Sequence, residues 1–332
     1  MSARRARRSP GRLSRRQALG WLGLGLNASL GAQTRFPEHT ITLVVPFAPG
    51  GIADLTARAV AESMARTLGQ AVVVDNRPSA GSIVASQLVA AAKPDGHTLL
   101  LMSNSHAVSV SLFKKLAYDP LKDFAPISML GSFDLGLFVP ANSRFAGLQA
   151  LLSFAKANPG KLNIGTIAVG STQHLAAKLF ETRAGIDALV VPYKGSPAVL
   201  TALRSGEVDL AFEITGPMLP QLQAGAVRAL AVTSQQRNPA LAQVPTVQEG
   251  GVAGYAVSSW NALAAPAGTP SAVVEQLNRA VREAMASPAV QQRLGALGMR
   301  LGAGTAAEML TWMDAEIKRW AQVIRQARIE PE

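Results

Sequence analysis

Ile41-Thr42-Leu43-Val44-Val45 runs into Pro46-Phe47-Ala48-Pro49-Gly50-Gly51 and then into a helical pattern, and the reading of this stretch decides the fold class. A short apolar run bounded by Pro and Gly is a buried strand. Beyond the turn, Leu55, Ala59, Val60, Met64 and Leu68 share one helical face, and Gly69 is placed to end the helix. Working outward, Ala71 to Val74 reads as the next strand, Ile83 to Ala92 as a helix and Thr98 to Met102 as a third strand. Alternating strands and helices predict an α/β fold with a parallel sheet covered on both faces.

The pattern restarts after about residue 135. Leu162 to Gly165, Leu189 to Val191 and Val208 to Phe212 read as strands, separated by helices over Thr172 to Ala184 and Pro197 to Leu203. A strand over Val227 to Val232 follows, and Asn261 to Ala265 is expected to return to the first lobe. The C-terminal part is helical: Val274, Leu277, Val281 and Met285 form one apolar face behind Pro270. Thr305-Ala306-Ala307-Glu308 has capping-box spacing, and Met309, Trp312, Met313, Ile317, Trp320 and Ile324 form a stripe expected to pack in the core.

At the N-terminus, Arg4, Arg5, Arg7, Arg8, Arg12, Arg15 and Arg16 precede an apolar run of 13 residues from Ala18 to Leu30. This is the layout of an export signal, expected over residues 1–32, and it is shorter than the roughly 20 residues of a membrane span. Arg15-Arg16 fits a twin-arginine signal, and a standard secretory signal is an equal reading. The seven arginines carry +7 of the formal +11 and leave about +4 on the remainder, which has no basic block with interleaved aromatics. A nucleic-acid partner is therefore not expected. With no cysteine, disulfides, thiolate metal sites and a cysteine nucleophile are excluded.

Ligands of open parallel sheets bind beyond the carboxyl ends of strands, and helix N-terminal amides attract anions. Three strand-to-helix turns qualify: Ala48 to Gly51, Ser103-Asn104-Ser105-His106, and Ala168 to Thr172. Gly50 and Gly51 allow close backbone approach, and Ser171 and Thr172 add hydroxyls. Asp54 either caps its own helix or faces a ligand. Glu213 is either a surface carboxylate or a group that orients a ligand's polar end. Gly165 to Thr172 resembles a phosphate loop, but Ser171 stands where Lys is required. Ser171 lacks the Gly-x-Ser-x-Gly context of a nucleophile. His39, His97, His106 and His174 show no metal-binding spacing, so no catalytic residue, metal or cofactor is expected.

Further stretches carry a family resemblance over about Phe36 to Ile329. They include Val44-Val45-Pro46-Phe47-Ala48-Pro49-Gly50-Gly51 with Asp54 and Arg58, Val74-Asp75-Asn76-Arg77-Pro78, Pro94-Asp95-Gly96-His97-Thr98-Leu99, Tyr118 to Phe124, Val191-Pro192-Tyr193-Lys194-Gly195, and Ala265 to Pro270. In order and spacing they resemble the Bug-type solute receptors of tripartite tricarboxylate transporters. The resemblance implies a two-lobed, type II-like periplasmic binding protein, each lobe a largely parallel sheet flanked by helices, with the ligand cleft between them. Its lobes would be 36–134 with 258–332, and 135–257. It places Phe47, Ala48, Gly50, Gly51 and Asp54 at a ligand carboxylate, carries Gly170, Ser171, Thr172 and His174 over as the second-lobe turn, and brings Tyr193 into the ligand-binding set. Ser79 and Ser82 stand where the family commonly has glycine, and Glu213 where it often has Asp.

The expectation is a monomeric, non-enzymatic periplasmic receptor, its leader cleaved, that delivers a small organic acid or amino acid to the membrane subunits of a transporter. A sensor subunit binding the same ligand is the alternative. An exported enzyme would have to use His106 or Glu213 as its base.

Overall fold

β1 (Ile41–Val45) has Ile41, Leu43, Val44 and Val45 fully buried, as an apolar run between two helical layers must. The structure, a computed structural model, describes residues 36–326 and 329–331; the expected export leader lies outside them. α1 (Ile52–Leu68) stops at Gly69, which is left-handed (φ 69°) and donates its amide to the Ala65 carbonyl. β2 (Val72–Asn76) and β3 (Thr98–Ser103) flank β1 in parallel, with α2 (Ile83–Ala90) in the crossover between them. α3 (Asn104–Leu112) leaves β3 directly.

β4 (Phe124–Pro140) organises the rest. Its first part runs antiparallel to β9 (Ser258–Pro266), from Phe124 opposite Pro266 to Asp134 opposite Ser258. Its last part lies between β7 (Leu210–Ile214) and β8 (Val227–Val232), antiparallel to both. α4 (Leu148–Ala157), β5 (Asn163–Ile167), α5 (Thr172–Ala184), β6 (Leu189–Tyr193), α6 (Ser196–Ser205) and α7 (Thr215–Gln223) surround that second half. β5 is parallel to both β6 and β7.

The strand order is thus β2-β1-β3-β9-β4 in one half and β6-β5-β7-β4-β8 in the other. Each half has three parallel strands with the first-formed one central, then an antiparallel visitor, then a fourth strand. The visitor is β9 in the first half and β4 in the second. Where the two visitors cross, the Asp134 carboxylate is buried and bridged by Arg300, with contacts of 2.6 and 3.0 Å, and accepts the Asn238 amide at 3.1 Å.

α8 (Ser271–Ala286), α9 (Pro288–Ala296), β10 (Arg300–Leu301) and α10 (Ala306–Gln326) close the chain over the first half. Thr305 and Glu308 form the expected reciprocal cap, Glu308 N–H to Thr305 Oγ1 at 3.2 Å and Thr305 N–H to Glu308 Oε2 at 2.6 Å. Met309, Met313, Trp320 and Ile324 are buried along α10, but Trp312 is 44% exposed and is not a core residue. It lies about 100° round the helix from Met313, off the buried seam. Among the described residues no helix is long and apolar enough to cross a membrane.

Candidate ligand-binding cleft

A cleft opens where the strand ends of the two halves face each other. The first half contributes the turn after β1 (Phe47, Ala48, Gly51), the end of β3 (Ser103) and two β9 residues, Ser259 and Asn261. The second contributes Ala168, Thr172 and Gln173 after β5, Lys194, Gly195 and Ser196 after β6, and Ile214 at the end of β7. Ile52, Phe133, Ile167 and Pro78 add apolar wall.

Five helices begin at this cleft. Of these, α1, α6 and α7 follow Gly51, Gly195 and Ile214, none of which supplies a side-chain cap. A helix N-terminus carries roughly half a positive charge and unsatisfied amides. Lys194, exposed at the rim, is the one basic side chain among the lining residues. The wall therefore attracts an anion chiefly through backbone.

The first turn is held rigid from below. Asp54, 3% exposed, accepts the Gly50 amide at 3.0 Å and the Arg58 guanidinium at 3.0 and 3.1 Å. Burial opposes its ionisation, but the bonds from Arg58, Gly50 and Asn76 outweigh it and hold its pKa below the usual value. Asn76 donates to the Phe47 carbonyl at 2.9 Å. Asp54 thus braces the turn instead of facing the cleft.

Glu213 is fully buried, which removes the surface-carboxylate reading. It accepts the Ser196 hydroxyl at 2.8 and 3.1 Å, the Gln173 amide at 3.2 and 3.4 Å, and the Ile214 amide at 3.2 Å. Burial raises its pKa to about 7 against the opposing pull of these donors. Ser196 and Gln173 line the cleft, and Glu213 stands one layer behind them.

Of the residues singled out from sequence, Phe47, Ala48, Gly51, Ser103, Ala168 and Thr172 meet at the cleft. Gly50, left-handed at φ 86°, lies beside them, with space for a Cβ closed by Pro197. Ser171 caps α5, its Oγ accepting the His174 amide at 3.1 Å, and Gly170 abuts Gly81. His106 accepts the Ser103 amide at 3.1 Å, and burial pushes its pKa to about 4, so it is neutral and occupied as a cap. Burial, with Lys178, likewise lowers His174 to about 4. Ser105 bonds Ser82 at 3.0 Å, Asn104 is buried at the start of α3, and Tyr193 bonds Glu207 at 2.7 Å outside the cleft.

Gln173, Ser196, Ser259 and Asn261 were not anticipated. The available signals were a polar residue inside the buried 258–266 strand and the Gly195-Ser196-Pro197 helix start. The two halves already touch across the cleft: Thr172 Oγ1 lies 2.8 Å from Ser259 Oγ, and the Gly81 amide donates to the Val169 carbonyl at 3.2 Å.

His39, Asp95 and His97 gather elsewhere, with ligand atoms within 4.8 Å of one another. His97 Nε2 accepts the Glu38 amide at 3.2 Å, which puts its proton on Nδ1, 3.2 Å from Asp95. No lone pair of His97 is then free for an ion, and the His39 ring stacks on it at 3.7 Å.

The model of the tripartite tricarboxylate transporter family receptor matches residues 56–329. The UPF0065 protein in the tcbD-tcbE intergenic region of Pseudomonas sp. (strain P51) is 38% identical over 321 residues, 96% of each chain. The periplasmic binding protein BugD superposes with a TM-score of 0.86 at 32% identity, covering 90% of this chain and all of its own. R. palustris Rpa4515 with adipate gives 0.86 at 36% identity, with 90% and 100% covered. MatC (Rpa3494) from Rhodopseudomonas palustris with bound malate gives 0.83 at 34%, with 87% and 100% covered. These relatives are solute-binding receptors, not enzymes, and share the α/β periplasmic binding protein fold. By sequence and by fold, the chain belongs to the tripartite tricarboxylate transporter receptor family.

Proposed function

We propose that this chain is an exported receptor that captures a small carboxylate-bearing solute between two lobes and hands it to the membrane subunits of a tripartite transporter. The observation that carries the reading is the convergence of three helix N-termini without side-chain caps on one cleft. A carboxylate placed there would satisfy amides that the protein leaves open, in a site largely shielded from water. The relatives solved with malate and with adipate support the ligand class. The lobes of the proposal are residues 36–134 with 258–332, and 135–257, hinged where β4 and β9 cross near Asp134 and Ser258. Ligand binding favours the closed arrangement, and the closed outer surface is what the membrane subunits recognise. Residues 1–32 act as the cleaved leader, and the receptor works as a periplasmic monomer.

Calorimetry of the purified protein against a panel of mono-, di- and tricarboxylates tests the first step, with at least one submillimolar binder expected. Failure of every acid, or conversion of any of them to product, overturns the reading. Deleting the gene and measuring uptake of the bound acid tests delivery, and unchanged uptake removes the transport role.

A further inference from the structure

Beside the backbone amides at the starts of α6 and α7, polar side chains of the second wall bring hydrogen-bond acceptors to the cleft. Ser196 has one hydroxyl proton, and it is directed to Glu213 at 2.8 Å, leaving only lone pairs of Oγ toward the cleft. Gln173, which lines the cleft, turns Nε2 toward the Glu213 carboxylate at 3.2 and 3.4 Å, so its acceptor, Oε1, is not engaged by Glu213. On the opposite wall Asn261 gives Nδ2 to the Trp260 carbonyl at 3.1 Å, and its Oδ1 is buried without a partner. Both amide orientations are fixed by the same logic, because each nitrogen faces an oxygen that needs a proton. Asn261 is the register partner of Ser103, so its acceptor sits beside the start of α3 on the cleft floor.

We propose that the ligand carries, besides its carboxylate, a hydroxyl or ammonium donor that Gln173, Ser196 and Asn261 read, so that the receptor selects hydroxy or amino acids over the matching unsubstituted acids. The proposal rests on the carboxylate-receptor reading above. Glu213 is the positioning residue: it touches no ligand, but it fixes which atoms of Ser196 and Gln173 face the cleft. An unsubstituted acid would cover these acceptors and leave them unpaired in a dry site, the situation in which recognition sites discriminate most strongly.

The test is calorimetry at pH 8 with matched pairs: malate and succinate, aspartate and succinate, 2-hydroxyadipate and adipate, mandelate and phenylacetate. In the pair that fits the cleft, the donor-bearing acid is expected to bind at least about tenfold more tightly. Glu213→Gln supplies a donor where the carboxylate had none, and should shrink that ratio to about threefold or less. Ser196→Ala, with folding checked by circular dichroism, should also shrink it and guards against a misfolded Glu213 variant. Equal binding within every pair, or a ratio unchanged in both variants, overturns the proposal while leaving the carboxylate reading intact. Failure of every carboxylate of the wider panel to bind overturns both.

Discussion

The Gly81 amide donates to the Val169 carbonyl at 3.2 Å, joining the segment before α2 to the turn after β5 across the mouth of the cleft. Gly170 is left-handed at φ 79°, and a Cβ there would sit 3.2 Å from Gly81 N and from Phe113 Cε2. Gly170→Ala would strain the backbone in every state by about 1 kcal/mol and press on this contact only when the halves meet. Ligand affinity should fall about tenfold, and calorimetry alongside a melting curve separates that loss from the general strain.

A sharper block is available at Gly195, where a Cβ would come within 2.8 Å of the Ala48 Cβ. Gly195→Val is expected to abolish measurable binding while lowering the melting temperature by only a few degrees, since the clash arises between the halves and not within one. Gly147→Ala, with nothing within 4 Å of the added Cβ, serves as the matched control and should bind normally.

Glu213 makes stability fall with rising pH. Its pKa is about 7 in the folded chain against 4.5 as the ordinary value, so the fold holds this proton more tightly than the unfolded chain does. Its contribution is whole below pH 4.5 and is lost as pH rises through 7. The loss is on the order of 3 kcal/mol for a shift of this size. Glu213→Gln should therefore unfold at a similar denaturant concentration to the parent at pH 4.5 and at a clearly higher one at pH 8.

Ser82 is the one non-glycine residue with positive φ among the described residues, at 59°, and its hydroxyl lies 3.0 Å from that of Ser105. Ser82→Ala loses the hydrogen bond and keeps the strain, whereas Ser82→Gly loses the bond and relieves it. The glycine variant should be the more stable of the two by about 1 kcal/mol, measured by urea denaturation.

Much of this architecture is legible in the chain itself because β1 and β3 are short apolar runs closed by Pro or Ser, and α1 and α10 keep a helical period. β4 escapes that reading. Its register shifts near Pro126 and Met129, and it buries residues in one half of the sheet and then the other, so neither alternation nor a continuous apolar run survives. α3 escapes because Asn104 to Ser109 are all buried, which leaves no polar face to set a period. The turns lining the cleft were visible as Gly- and Ser-rich breaks. Gln173 and Asn261 were not, since their role comes from which atom Glu213 or Trp260 O occupies.

The exchange of visitor strands sets an order of assembly. Every strand of the second half lies between residues 124 and 232, so that half can close as soon as those residues are available. The first half has β1, β2 and β3 in hand from residue 103 but lacks β9, whose first residue is Ser258. Until then the flank of β3, with Leu100, Leu101 and Met102, has no neighbour to pair with. A chain made from its N-terminus thus carries an open apolar edge for the interval of more than 150 residues between Ser103 and Ser258, and a chaperone that masks extended apolar segments would find its target there.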